Sequence, residues 1–156
     1  QNSDNQMFMP TVVEDITFGL VNYGIRKDEA DVKADKILER LNIKDLKSRH
    51  NHTLSGGEKR MAAIATVLAM EPKVLLMDEP TSTLDPYNRR QVINIVNALP
   101  QTKIITSHDL DMILDTCSRV ILLSDGKIVA DGPAEQILKD QELLEAHRME
   151  LPFRFQ

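Results

Sequence analysis

Val74-Leu75-Leu76-Met77-Asp78-Glu79-Pro80 runs four apolar residues into two carboxylates and a proline. A continuous apolar run of that length reads as a strand buried on both faces, as parallel strands are. Upstream, Pro72 stops a segment that opens at Leu54-Ser55-Gly56-Gly57-Glu58 and reaches about Met70. Ser55 followed three residues later by Glu58 is a capping-box pattern, so a helix is expected to start there. Downstream come Ser82-Thr83-Leu84-Asp85, a helix over residues 88–98, a second buried strand over 103–106, and then Ser107-His108. Strands that alternate with helices predict an α/β layer with a mainly parallel sheet.

The chemistry gathers at the strand ends. Ligands of open parallel sheets bind beyond the carboxyl ends of the strands, where Asp78, Glu79 and His108 fall. Two adjacent carboxylates there suit a cation ligand and a general base. Taken alone, they equally suit an acidic strand end that caps the next loop. Ser55-Gly56-Gly57 brings a hydroxyl, two unhindered N–H groups and the positive end of a helix to one point, which is an anion site or an ordinary N-cap. A lone histidine such as His108 is more often structural than functional. His50 and His52 have ligand chemistry but no third partner nearby, and no site is assigned to them. Asp109, Asp111 and Asp115 read as solvated surface.

Around this centre the chain reads as follows. Thr11 with Glu14 is a second capping box and starts a helix that runs to about Asn22, before Gly24. Residues 27–41 form another, with Ala30, Val32, Ala34, Ile37, Leu38 and Leu41 as its apolar stripe. A short helix is expected over 43–49. Residues 119–123 and 127–131 flank Ser124-Asp125-Gly126, a hairpin turn, and Pro133 suits the first position of a helix over 134–138. A last helix over 141–148 precedes a tail.

At 156 residues and 42% apolar content the chain is long enough for one domain with a core. A net charge of -5 argues against a nucleic-acid partner, which needs a basic face. The single Cys117 has no disulfide partner within the chain and reads as a small buried hydrophobe of a reducing compartment. The longest nearly apolar run, 61–70, is about half of what a membrane span needs. Neither a leader pattern nor an initiator Met opens the chain. A soluble chain is expected, with Gln1 at a cut boundary.

The Leu54–Glu58, Val74–Pro80, Ser82–Asp85 and Ile104–His108 motifs, in this order, resemble the nucleotide-binding subunit of ATP-binding-cassette (ABC) transporters. The resemblance implies an α/β fold: part of a RecA-like P-loop NTPase core with a helical subdomain. It implies ATP and Mg²⁺ as cofactors. Asp78 would serve the metal through its water shell, and Glu79 would be the general base for the attacking water. His108 would be the switch histidine at the γ-phosphate. Ser55, Gly56 and Gly57 would close on the nucleotide of a second ATPase subunit, in a homo- or heterodimer. Asp85 would lie in the loop that links the two composite sites. Residues 1–8 resemble the family's glutamine loop, with Gln1 sensing Mg²⁺ and water. Domain bounds follow: 1–10 a glutamine-loop remnant, 11–71 the helical subdomain, 72–140 the later part of the core, 141–156 a final helix and tail.

Thr11-Val12-Val13-Glu14-Asp15-Ile16-Thr17-Phe18-Gly19 and Glu150-Leu151-Pro152-Phe153 are similar to one subgroup, the energy-coupling-factor and cobalt-type importers. That likeness implies integral membrane transporter subunits as partners and a peripheral place on the cytoplasmic face of the cell membrane. One departure matters most. G-x-x-x-x-G-K-[ST], whose N–H groups and lysine cradle phosphates, occurs nowhere in the sequence. The chain therefore reads as the later two-thirds of an ATPase, inactive alone. In the family's strand order the missing strand lies between 103–106 and 119–123. Collapse, a swapped segment or a second copy is expected to close that gap. Rival readings are a soluble ABC-type ATPase acting on DNA or ribosomes, and a partner-binding module without a P-loop.

Overall fold

The computed structural model describes residues 7–156. Its elements follow as α1 (Val12–Asn22), α2 (Lys27–Arg40), α3 (Gly56–Ala69), β1 (Val74–Asp78), α4 (Pro86–Ala98), β2 (Thr102–Thr106), α5 (Leu110–Thr116), β3 (Arg119–Ser124), β4 (Lys127–Pro133), α6 (Ala134–Lys139) and α7 (Gln141–Ala146).

Both expected capping boxes form. Thr11 N donates to Glu14 Oε2 at 2.9 Å, and Ser55 N donates to Glu58 Oε2 at 2.7 Å. Val12, Ile16 and Leu20 stand four apart on α1 and are buried, as are Ala30, Ala34 and Leu38 on α2. That spacing keeps each trio on one helix face. Alanines on α2 and α3 let the three helices approach closely around this core. Val32 leaves the expected stripe and is exposed, because two residues from Ala30 is more than half a turn. Where a helix was expected over 43–49, the chain makes only a 3₁₀ turn, Lys44–Leu46, with Leu46 buried. Glu71, at φ 52, ends the run of α3 just before Pro72.

β1 and β2 pair in parallel, from Val74 opposite Thr102 to Asp78 opposite Thr106. Burial on both faces is not found. Leu75 packs into the core with Val92, Val96 and Leu99, and Met77 and Ile105 lie against it. Val74, Leu76 and Ile104 point the other way and are 50%, 77% and 57% exposed. Among the described residues, helices cover one face only.

β3 and β4 form a separate antiparallel hairpin, with Asp125 and Gly126 at φ 49 and 73 in its turn. Two positive φ values match the twist of the flanking strands. β2 and β3 do not pair, so strand collapse within the chain does not close the gap between them. A second core gathers Ile93, Met112, Ile113, Leu122, Ile137, Leu138 and Leu144, and Ile105 touches both cores. Pro133 is the last residue of β4 and the N-cap of α6 rather than its first helical residue.

The tail is docked. Its 3₁₀ turn, Phe153–Phe155, places two backbone N–H groups on Asp111, at 2.9 Å from Phe153 and 3.2 Å from Arg154. Asp115 takes ion pairs from Arg90 and Arg154. These carboxylates join elements and are not idle surface, because α5 has α4 on one side and the tail on the other. No helix among the described residues is long and apolar enough to cross a membrane.

Candidate functional site

Parallel pairing brings the ends of β1 and β2 together, and with them Asp78, Glu79 and His108. Asp78 is exposed at the end of β1, and Thr106 Oγ1 donates to its Oδ1 at 2.5 Å. Glu79 follows with φ 48, a left-handed conformation that a residue with a β-carbon adopts at a cost of about 1–3 kcal/mol. The turn is held by Glu79 N donating to Thr106 O at 2.8 Å. It swings the Glu79 carboxylate toward the loop after β2. There it accepts from Ser107 Oγ at 3.0 Å, from His108 N at 2.9 Å and from His108 Nδ1 at 2.8 Å. Glu79 is mostly covered, with its side chain 15% exposed, whereas that of His108 is 81% exposed. The hydrogen bond to Glu79, then its charge, raises the His108 pKa, and Asp109 adds to the shift.

Asp109, read from the sequence as surface, is a junction. It accepts from Arg89 Nε and Nη2 at 2.6 and 2.8 Å, from Thr81 Oγ1 at 3.3 Å and from Met112 N at 3.0 Å. The Arg89 hydrogen bonds hold its carboxyl below the usual range against the opposing effect of burial. An N-cap at Asp109 was open to sequence reading, since an aspartate just before an apolar helical segment is a start signal. The tie to Arg89, 20 residues away, had no local signal.

A second group forms around the start of α3. Ser55 is exposed and bonds within its own capping box, accepting from Glu58 N at 3.3 Å. The backbone N–H of Ser55 is the main cause of a lowered pKa at Glu58. Gly56 is exposed with open space at its α-carbon, so backbone there is approachable. Gly57 is buried, and a β-carbon on it would lie 2.3 Å from Asn88 Cγ. Asp85 is the N-cap of α4, accepting from Tyr87 N at 3.0 Å and Asn88 N at 3.1 Å, while Asn88 Nδ2 donates to its other oxygen at 2.5 Å. Asp85-Pro86 is itself a helix-start signal that places the boundary two residues before the expected one. Gln1 lies outside the described residues.

The donor set fits Mg²⁺ in a limited way. Mg²⁺ keeps several waters and takes one or two carboxylates plus substrate phosphates, and Asp78 supplies one accessible carboxylate. Among the described residues no group of three or more His, Cys, Asp and Glu could hold a metal by itself.

The family described as "ABC transporter" matches residues 1–82, which takes in α3, the signature helix opened by the Leu54–Glu58 motif, and the Asp78–Glu79 strand end. The chain belongs to the ABC transporter family. An ABC transporter ATP-binding protein of Geobacter sulfurreducens is 46% identical over all of this chain, which spans 63% of that relative's length. The energy-coupling factor transporter ATP-binding protein EcfA of Methanothermobacter thermautotrophicus is 39% identical over 97% of this chain and 50% of its own length. Among solved structures, cbiO1 of Clostridium perfringens, part of the ABC transporter complex cbiONQ, superposes with a TM-score of 0.80 at 36% identity. It is matched over 93% of this chain and 59% of its own. MJ1267, an ATP-binding cassette of an ABC transporter, gives 0.79 at 28% identity, over 90% and 65%. The α/β arrangement of helices and small parallel sheet is thus part of an ABC ATPase domain.

Proposed function

We propose that this chain carries the signature helix and the hydrolytic groups of an ABC importer ATPase that works as a head-to-tail dimer on membrane subunits. The observation that carries this reading is the Glu79 carboxylate, largely covered, bonded to His108 Nδ1 at 2.8 Å and adjacent to the exposed Asp78. A general base must be held within hydrogen-bond reach of its proton and be oriented by a third group. Glu79 is the base, His108 orients it and meets the γ-phosphate, and Asp78 serves Mg²⁺ through water. The Ser55-Gly56-Gly57 loop closes on the nucleotide of the second subunit, Asp85 belongs to the loop that links the two composite sites, and the role of sensing Mg²⁺ and water is assigned to Gln1. Bound Mg²⁺ neutralises charge on the phosphates.

The sequence contains no G-x-x-x-x-G-K-[ST] motif to hold phosphates with its N–H groups and lysine, and on this reading the chain alone is inert. Phosphoryl transfer depends on positioning and electrostatics, and acting groups without a cradle do nothing. The importer subgroup is supported by likeness to EcfA and cbiO1. Its membrane subunits dock at a groove of about 550 Å³ lined by Met7, Phe8, Met9, Pro10, His50 and Asn51. Phe8 is exposed there and meets Phe18 edge-on at 5.0 Å. The protein sits on the cytoplasmic face of the membrane.

Glu79→Gln in the intact ATPase, phosphate loop included, tests the reading. Turnover is expected to fall by about a hundred-fold or more, with ATP still bound and the ATP-bound dimer accumulating. Turnover near that of the unsubstituted enzyme would remove Glu79 from the role.

A further inference from the structure

The first turn of α4 carries two adjacent side chains that engage different motifs. Asn88 sits between Asp85, its hydrogen-bond acceptor at 2.5 Å, and Gly57, whose α-carbon it covers so closely that no β-carbon fits. Arg89, one residue further round the helix, binds both oxygens of Asp109 at 2.6 and 2.8 Å. Asp109 directly follows His108. Its N–H donates to Ser107 Oγ at 3.1 Å, and that hydroxyl donates to Glu79 Oε2 at 3.0 Å. Thr81, buried just beyond Glu79, donates to the same Asp109 oxygen that Arg89 Nε binds.

Helix α4 needs neither contact to form. Asp85 caps it and Pro86 occupies its first turn. The Arg89–Asp109 pair is also unlike the exposed pairs elsewhere. It is bidentate, as the Arg119–Asp131 pair is, but its side chains are only 25% and 23% exposed against 67% and 39% there, so it is screened less while keeping the same geometric specificity.

We propose that Asn88 and Arg89 are positioning residues for ATP hydrolysis: Asn88 seats the signature glycine against Asp85, and Arg89, through Asp109, fixes the loop that carries Ser107 and His108 against Glu79. The inference rests on the reading of Glu79 and His108 as the hydrolytic pair, and deepens it. Residues 85, 88 and 89 share one helical turn, so they move as a unit. A shift at the signature loop or at Asp85 therefore reaches His108 through protein contacts as well as through nucleotide.

Steady-state kinetics of the intact ATPase with Mg-ATP provide the test. Arg89→Leu is expected to lower kcat by about ten- to a hundred-fold with KM within about two-fold, because misplaced groups weaken the transition state and not substrate binding. Asp109→Asn keeps an oxygen for Met112 N, so α5 stays capped if Arg89→Leu fails to fold. It is expected to lower kcat in the same way. The double variant should be no worse than either single one, as for two members of one contact. Asn88→Ala should lower kcat while leaving the thermal midpoint near its original value. Unchanged kcat in Asp109→Asn, a loss confined to KM, or additive effects in the double variant would overturn the proposal. Glu79→Gln is the control: if it abolishes turnover while Asp109→Asn does not, only this inference fails, and if it retains turnover, the functional reading itself fails.

Discussion

Asp15 is the most deeply buried carboxylate of the helical unit, with 2% of its surface exposed, and the consequence of removing it can be worked out from its partners. Its Oδ1 accepts from Phe8 N at 3.1 Å and Met9 N at 3.0 Å, and its Oδ2 accepts from the Asn51 carboxamide. Three parts of the chain thus meet on one side chain: the segment before α1, α1 itself and the 3₁₀ turn Asn51–Thr53. Asp15→Ala leaves three donors without an acceptor. Each costs about 1–3 kcal/mol if it stays buried. All three bonds are only partly buried, so a total of about 3 kcal/mol is expected.

Asp15→Asn is a sharper probe. One oxygen still serves Phe8 and Met9, but an NH₂ group then faces the Asn51 NH₂. Rotating Asn51 would present its Oδ1, which has no partner among the described residues, yet would withdraw the donor from Met9 O at 2.6 Å. One bond is lost instead of three, about 1 kcal/mol. Urea unfolding followed by circular dichroism reads both. With a slope of about 2 kcal/mol per molar, the midpoint should fall by about 1.5 M for Asp15→Ala and about 0.5 M for Asp15→Asn. Equal losses in the two variants, or none in Asp15→Ala, would refute the hydrogen-bond reasoning.

Other expectations follow the same logic. The His108 pKa is raised by its hydrogen bond to Glu79, so this contact stabilises fully below about pH 6.5 and fades as pH rises through the raised value. Proton NMR titration should place His108 above an ordinary histidine and bring it down in Glu79→Gln. Asp109 has the opposite sign. Its contribution is present above about pH 4 and is lost as pH falls through its lowered value, so Asp109→Asn should flatten the acid limb of a stability profile. Leu138→Ala, at a fully buried site of the second core, should cost about 2–5 kcal/mol in chemical denaturation. Asp111→Ala removes the acceptor for Phe153 and Arg154 N–H groups, and limited proteolysis should then cut the tail faster than in the unchanged protein.

Local signals located most of the elements. Two capping boxes, Pro72, Gly126 and the apolar run at Val74 fix helix starts, stops, a turn and a strand through chemistry that acts within a few residues. What stayed hidden depends on long-range packing. The exposure of Val74, Leu76 and Ile104 is set by which elements cover a sheet face, and an apolar run carries no record of that. Asp109, Asp111 and Asp115 looked like solvated charges because their partners, Arg89, Arg90, Arg154 and the tail backbone, lie far away in sequence. In the candidate site, the meeting of Asp78, Glu79 and His108 at neighbouring strand ends was legible from the order of strands and motifs. The left-handed Glu79 that turns its carboxylate onto His108, and the packing of Asn88 on Gly57, were not.

Titration of Mg-ATP into this chain alone, with phosphate release followed in parallel, bears most directly on the claim that it holds the acting groups of an ABC ATPase but no phosphate cradle. The account predicts no turnover and no saturation at micromolar ATP for the chain alone, and binding with hydrolysis once a glycine-rich lysine loop is supplied. Micromolar affinity or measurable hydrolysis by the chain alone would contradict it.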